Sequence, residues 1–290
     1  MAAIVVIPAR FGSTRFPAKI LAAETGMPLV QHVVGQARLC TRVREVIVAT
    51  DDARISAAVQ PYGTRVVMTS PAHQSGTDRI AEVARSLDDD IDIIVNVQGD
   101  EPEIEPQVID DLVARLENSG DDMATAATPF PAGADANDPN LVKVVIGVDG
   151  RAIYFSRSPI PFRRDPASHD NAAYYLHLGI YAYRRSFLLQ FAGWPPTPCE
   201  LTEKLEQLRA LEHGRSIFVL KVERATHGVD TAEQYAEFVR RYKGVVDRQS
   251  PVVSGQLSVV RCEEMGFDPS LLAPDHSQRT TDHGQLTTDN

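Results

Sequence analysis

Arg10, Arg15 and Lys19 follow one another closely in VVIPARFGSTRFPAKIL, residues 5–21, directly after the first apolar run of the chain. Arginine offers a planar fork that matches two oxygens at once, and lysine offers a compact point charge, so together they suit a polyanion such as a triphosphate. Gly12, Ser13 and Ala18 keep the segment slim, which would let backbone N–H groups approach phosphate oxygens. The same composition also suits a solvated basic loop, and composition alone does not separate the two. Two acidic positions bear on the choice. Asp100 sits in NVQGDEP, residues 96–102, where an apolar run ends. Asp230 sits in GVDT, residues 228–231. A carboxylate leaving a strand can hold Mg²⁺, which takes oxygen ligands and keeps several waters. QGDEP is equally a turn composition, and Asp230 or Thr231 is equally a helix cap. Taken together, two acids facing a basic loop make sense if a divalent ion bridges them to a nucleotide.

These residues must be held by something, and the pattern of the first 130 residues says what. Apolar runs at 4–7, 45–49, 65–68 and 91–97 read as strands, the last being the most hydrophobic. Segments 28–40, 52–59, 76–87 and 106–116 repeat apolar residues at helical spacing. Such alternation predicts an α/β fold with a mainly parallel, doubly wound nucleotide-binding sheet covered on both faces. The cationic segment then falls at the carboxyl end of the first strand, where open α/β sheets bind ligands. After Met123 the rhythm becomes β-rich: LVKVVIGVDGRAIYFSRS carries a hairpin signal at Asp149-Gly150, and YYLHLGIYAYRR adds another strand. Residues of about 130–185 read as a β-rich insertion that extends the sheet and suits a subunit contact. Residues 200–213 read as one helix, 217–222 as a strand and 231–242 as a last helix. Residues 1–244 thus read as one domain, with 245–290 as an extension whose end, 274–290, has the composition of disordered chain.

Composition narrows the function. The 290 residues carry a net charge of −10, which repels nucleic acid and acidic membranes in general and makes one cationic loop more informative. Three scattered cysteines, Cys40, Cys199 and Cys262, form neither a disulfide framework nor a metal pattern, so a reducing cytoplasm is the expected location. No apolar run approaches the roughly 20 residues of a membrane span, and no secretory signal is visible. Neither GxGxxG nor GxxxxGK[ST] occurs, which disfavours an NAD oxidoreductase and a P-loop enzyme.

The motifs IPARFGSTRFPAK, HQSGTDR, NVQGDEP, VKVV, YFSRSPIP, HLGIY, EKLEQLR and GVDT occur in this order. The chain, over about residues 3–243, resembles the 3-deoxy-manno-octulosonate (Kdo) cytidylyltransferases, enzymes of the sugar nucleotidyltransferase superfamily with a GT-A-like fold. The resemblance implies transfer of a cytidylyl group from CTP to Kdo for lipopolysaccharide biosynthesis, with Mg²⁺ as cofactor and a homodimer as the assembly. It implies that Arg10, Ser13, Arg15 and Lys19 hold the triphosphate, and that Ala9, Gln74, Ser75 and Gly76 lie near cytosine and ribose. Arg79, Gln98, Arg157, His177, Glu203 and Gln207 would face the sugar, and Asp100 and Asp230 would be the metal ligands. The catalytic group would be Arg10, Arg15, Lys19, Asp100 and Asp230. Arg157 is the expected partner of the sugar carboxylate, and Glu203 and Gln207, four apart on the expected helix, share one face. The family commonly has Gly where this chain has Ala18. Activation of another acidic sugar, and nucleotide binding without catalysis, are the alternatives.

Overall fold

The computed structural model describes residues 2–12, 15–164, 174–224 and 228–249. Ser13 and the 274–290 segment lie outside them. Residues 1–248 form one compact unit.

The chain begins with β1 (Ala2–Ala9), α1 (Leu29–Ala37), β2 (Val43–Thr50), α2 (Ala53–Val59), β3 (Arg65–Met68), α3 (Gly76–Arg85), β4 (Ile91–Asn96) and α4 (Pro106–Glu117). It continues with β5 (Met123–Pro129), β6 (Lys143–Ile146), β7 (Ala152–Ser156), β8 (Tyr175–Arg184) and α5 (Arg185–Phe191). Helices α6 (Pro198–Glu203) and α7 (Leu208–Glu212), strand β9 (Ile217–Lys221) and helix α8 (Ala232–Gln249) complete it. The strands lie in the order β3-β2-β1-β4-β8-β5-β9. β1 pairs in parallel with β2 and β4, and β2 with β3. This half is doubly wound as expected, and it explains why β1 and β4 are apolar along their length: both faces are covered. Val5, Val48 and Val95 join the core on the α1 and α4 side, whereas Ile4, Ile47 and Ile94 join the core on the α3 and α5 side.

The second half is mixed. β8 runs antiparallel between β4 and β5, and β5 pairs in parallel with β9. β6 and β7 form the hairpin expected at Asp149-Gly150 and attach to β8. Gly150 has φ +81, and a Cβ there would lie 2.8 Å from a ring carbon of Phe218, so the turn needs glycine for both reasons.

Two expectations change. Residues 200–213 are not one helix: Lys204 adopts φ 53 at the end of α6, the left-handed region that closes a helix, and α7 starts afresh at Leu208. The last helix runs on to Gln249 rather than ending near 242.

Candidate active site

Sheet order reverses between β1 and β4, because the chain moves from β1 outward to β2 and β3 before returning to β4 on the other side. That is the switch point at which an open α/β sheet leaves a crevice beyond its strand ends. The segment after β1 and the segment after β4 both enter it, and a cavity of about 530 Å³ lies there. Arg10, Gly12, Arg15 and Lys19 line it from the first segment, Gln98, Gly99 and Asp100 from the second, Gln74–Gly76 from the start of α3, and Asp230 from the approach to α8.

Local geometry delivers these groups. Gly99 passes so close to β1 that a Cβ would sit 3.3 Å from the Pro8 carbonyl oxygen and 3.2 Å from Ile20 Cδ1. A side chain there would push Asp100 away from the β1 loop. Ala18 has φ 57 and ψ 20 immediately before the short 3₁₀ turn Lys19–Leu21. Ala18 therefore occupies the left-handed region, at a cost of about 1–2 kcal/mol for a residue with a Cβ. The turn places the Lys19 ammonium inward. Ahead of α8, Thr231 and Gln234 take the capping work: the Asp230 and Thr231 N–H groups donate to Gln234 Oε1 at 2.7 and 3.0 Å, and Gln234 N–H donates to Thr231 Oγ1 at 3.3 Å. Asp230 is thereby released from capping, and its carboxylate turns to the cavity.

Lys19, 8% exposed, donates to Asp100 Oδ2 at 2.6 Å, to Asp230 Oδ1 at 2.9 Å and to the Val229 carbonyl at 2.9 Å. Arg15 lies 3.2 Å from the same Asp230 oxygen. Burial pulls the Lys19 ammonium down, but the two carboxylates outweigh it and hold its pKa above the ordinary lysine value. Asp100 and Asp230, distant in sequence, thus converge on one positive charge. Their side chains remain 28% and 44% exposed toward the opening. That donor set fits Mg²⁺, which is commonly held by one or two carboxylates, waters and substrate phosphates rather than by an all-protein cage. Among the described residues no cluster of three or more His, Cys, Asp or Glu side chains forms such a cage. Glu101, next along, has its Oε1 3.8 Å from where a Cβ on Gly179 would stand. Burial, reinforced by the Asp100 charge, pushes its carboxyl up to about 8.

The residues assigned to cytosine and ribose divide. Gln74, Ser75 and Gly76 line the cavity, the Ser75 hydroxyl also capping α3 by accepting from Asp78 N–H at 3.0 Å. Ala9 is fully buried and is not among the residues lining the cavity, although its neighbours Pro8 and Arg10 are.

The sugar assignments divide further. Gln98 lines the cavity. His177 accepts or donates at 3.0 Å to Thr125 Oγ1 and packs edge-on against Phe155. Burial pushes its imidazole down to about 3, so it is neutral at pH 7 and a weak base. Gln207 is 5% exposed and its Nε2 has no hydrogen-bond partner, a donor that a ligand oxygen would satisfy. Arg157 and Glu203 depart from expectation. Arg157 donates from Nε to the Glu203 carbonyl at 2.7 Å, and from its terminal nitrogens to the carbonyls of Pro139 at 2.7 Å and Lys204 at 3.2 Å. Glu203 accepts from the Ser156 hydroxyl at 2.6 Å and from Arg157 N–H at 2.9 Å. This pair ties α6 to the end of β7 instead of presenting an open fork. Glu203 and Gln207 also do not share a helical face, because the chain reverses hand at Lys204. The break brings forward Glu206, which was not anticipated: its carboxylate accepts from the Thr77 hydroxyl at the start of α3. Burial raises its pKa, opposed by Thr77 and Arg209. Its signal in the sequence was its place inside EKLEQLR, hidden by reading one continuous helix. Arg79 is fully buried away from the cavity.

A cytidylyltransferase family model matches residues 4–217. A 3-deoxy-manno-octulosonate cytidylyltransferase of Geobacter sulfurreducens is 49% identical over 247 residues, covering 82% of this chain and 98% of the relative. One of the same name from Trichlorobacter lovleyi is 46% identical over 252 residues, covering 84% and 99%. Among solved structures, a CMP:2-keto-3-deoxy-manno-octonic acid synthetase complexed with CTP superposes with TM-score 0.79 at 40% identity, covering 84% of this chain and all of that one. A 4-diphosphocytidyl-2C-methyl-D-erythritol synthase of Anaerococcus prevotii shares the fold at TM-score 0.55 and 12% identity. Fold and cavity together define a nucleotidyltransferase. Within that class the chain belongs to the cytidylyltransferase family and, more narrowly, to the 3-deoxy-manno-octulosonate cytidylyltransferases.

Proposed function

We propose that this enzyme transfers the cytidylyl group of CTP to Kdo, releasing diphosphate and supplying the activated sugar for lipopolysaccharide biosynthesis. The observation that carries the reading is the meeting of Lys19, Arg15, Asp100 and Asp230 in one cavity beside Gln74–Gly76. Arg10 and Arg15, which line that cavity, would pair with triphosphate oxygens, and Lys19 would balance charge on departing diphosphate. The sugar's anomeric hydroxyl oxygen attacks the α-phosphorus; that P–O bond forms as the bond to the β-phosphate bridging oxygen breaks, the electron pair leaves with diphosphate, and the hydroxyl proton passes to solvent. Such a displacement depends chiefly on alignment and charge neutralisation. Asp100 and Asp230 would hold Mg²⁺, which when bound supplies Lewis-acid charge at the α-phosphate and acidifies the attacking hydroxyl. His177, bonded to Thr125 and not among the residues lining the cavity, with its imidazole pushed down to about 3 by burial, is not the proton acceptor. Gln98, which lines the cavity, and the unpartnered Gln207 amide are the sugar-side donors that this reading favours.

Assembly as a homodimer through the β6–β7 region is part of the proposal. It is supported by Val148, Ile153 and Phe162, large apolar side chains left exposed on the hairpin and the following loop. A cytoplasmic location accords with free thiols at Cys40 and Cys199, and no helix among the described residues is long and apolar enough to cross a membrane. The test is diphosphate release with CTP and Mg²⁺ while Kdo, an 8-amino variant of Kdo and a sialic acid compete. Kdo should be preferred by at least about tenfold in kcat/KM. Preference for either competitor would move the assignment to that sugar.

A further inference from the structure

The geometry points to Arg79 as a positioning residue for the nucleotide-holding turn at 74–76, rather than a group that touches the sugar. This inference rests on the cytidylyltransferase reading of the cavity. Arg79 is 1% exposed and is not among the residues that line the nucleotide cavity. Its guanidinium lies 3.2 Å from Asp51 Oδ2, just past the end of β2, and donates to the Thr69 hydroxyl, just past the end of β3. It therefore ties α3 to the two strands that lie outside β1 in the sheet. Gly76 and Ser75 precede it by three and four residues, so they stand on the same side of the helix start. Those are the positions that line the nucleotide cavity. Gly76 approaches β1 closely, the place of a Cβ lying 3.5 Å from Pro8 Cγ.

The seat is held at a cost. Arg79 Nε is buried without a hydrogen-bond partner, so the desolvation of that donor is not compensated. Behind the turn lies a second cavity of about 400 Å³, bounded by Arg79, Asp51, His73, Arg10 and Gly12. Arg10 and Gly12 line the nucleotide cavity as well. Without the Arg79 tie, the first turn of α3 has space to settle backward into this second cavity, carrying Ser75 and Gly76 off the wall that faces the nucleotide. Two other ties remain: Glu82, further along the helix, accepts from Ser70 N–H at 2.9 Å and contacts His73, and Thr77, in the first turn itself, reaches Glu206, so Arg79 holds the side of that turn toward β2 and β3.

The experiment compares Arg79→Met, Arg79→Lys and Asp51→Asn in the full chain. CTP affinity is measured by calorimetry, and KM for CTP and for Kdo are measured separately. Asp51 is one-quarter exposed, so Asp51→Asn removes the charge partner without opening the core. Arg79→Met and Asp51→Asn should each weaken CTP binding and raise its KM by roughly tenfold, a loss of the size expected for a misplaced contact wall. KM for Kdo and kcat should stay within about twofold, and Arg79→Lys should recover much of the loss. A rise confined to KM for Kdo would make Arg79 a sugar contact and overturn the inference. Unchanged CTP affinity, or uniform losses that track a lower unfolding temperature, would overturn it too. If the unaltered chain binds CTP but does not turn over Kdo, the functional reading fails while calorimetry still decides the role of Arg79.

Discussion

Lys19 and Arg157 are both cations set in motifs that the sequence singles out, yet the protein holds them differently. Lys19 lies between two carboxylates at the mouth of a cavity, where its partners are charges that a nucleotide and a cation would rearrange. Arg157 is bonded to three backbone carbonyls, neutral groups that no ligand replaces readily. The cavity between β1 and β4 is built around exchangeable ion pairs, and the region of Arg157 from fixed joints between β7 and α6. Buried Lys143 strengthens that joint by donating to the Arg157 carbonyl. The lesson is that charge carried by a motif identifies a ligand contact only where its partners are free to change.

The contrast can be broken by substitution. Asp100→Asn should lower turnover by about 10²-fold or more, the scale on which removal of a charge-stabilising group acts, while CTP still binds. Near-normal turnover at saturating Mg²⁺ would remove Asp100 from the catalytic group. Arg157→Ala should instead act first on the fold, with about 1–3 kcal/mol lost in urea unfolding as bonds from a charged donor disappear, and with CTP affinity unchanged. A variant of normal stability with weakened Kdo binding alone would restore Arg157 as the carboxylate fork.

A third outcome sharpens the account of α8, which carries the segment bearing Asp230. His32 on α1 packs edge-on against Phe238 and Tyr242 of α8, with its Nε2 2.7 Å from Thr25 Oγ1, and burial pushes its pKa down to about 4. The unfolded chain binds this proton more readily, so the stabilising contribution is fully present above pH 6.5 and is lost as pH falls toward 4. The loss from this group is on the order of 2–3 kcal/mol. Urea unfolding at pH 7 and pH 4.5 should show a smaller difference in His32→Asn than in the unaltered chain; equal differences would remove His32 from the pH response. The smallest effect is expected at Ala18. Ala18→Gly should relieve the φ 57 strain and raise stability by about 1 kcal/mol, seen as a higher midpoint in thermal unfolding. A lower midpoint would show that the turn tolerates alanine without strain.

Much of the nucleotide end was legible because its signals are local. The apolar runs of β1 and β4, and the polar residues directly after each, place Arg10, Lys19 and Asp100 without knowledge of distant pairing. Asp230 was legible only as one half of a pair, since capping by Thr231 and Gln234 is what frees it. The placement of β8 between β4 and β5 depends on pairing between segments far apart in the chain, and no local pattern announces it. The break at Lys204 was hidden because Glu, Leu, Gln and Arg are good helix formers, and a left-handed lysine leaves no compositional mark. That single dihedral separated Glu203 from Gln207 and turned Glu206 toward Thr77. Arg79 was assigned to the sugar by the resemblance alone; its burial follows from Asp51 and Thr69, which become its neighbours only once β2 and β3 lie side by side.

The most direct test follows CTP and Kdo with the purified enzyme by phosphorus NMR, with Mg²⁺ and again with the metal chelated. The account expects a phosphodiester signal of a CMP-sugar to rise in step with diphosphate, only when sugar and metal are both present. It also expects the signal to be lost in Asp230→Asn. CTP left intact with Kdo and Mg²⁺, or the same product formed at full rate after chelation or in Asp230→Asn, would contradict it.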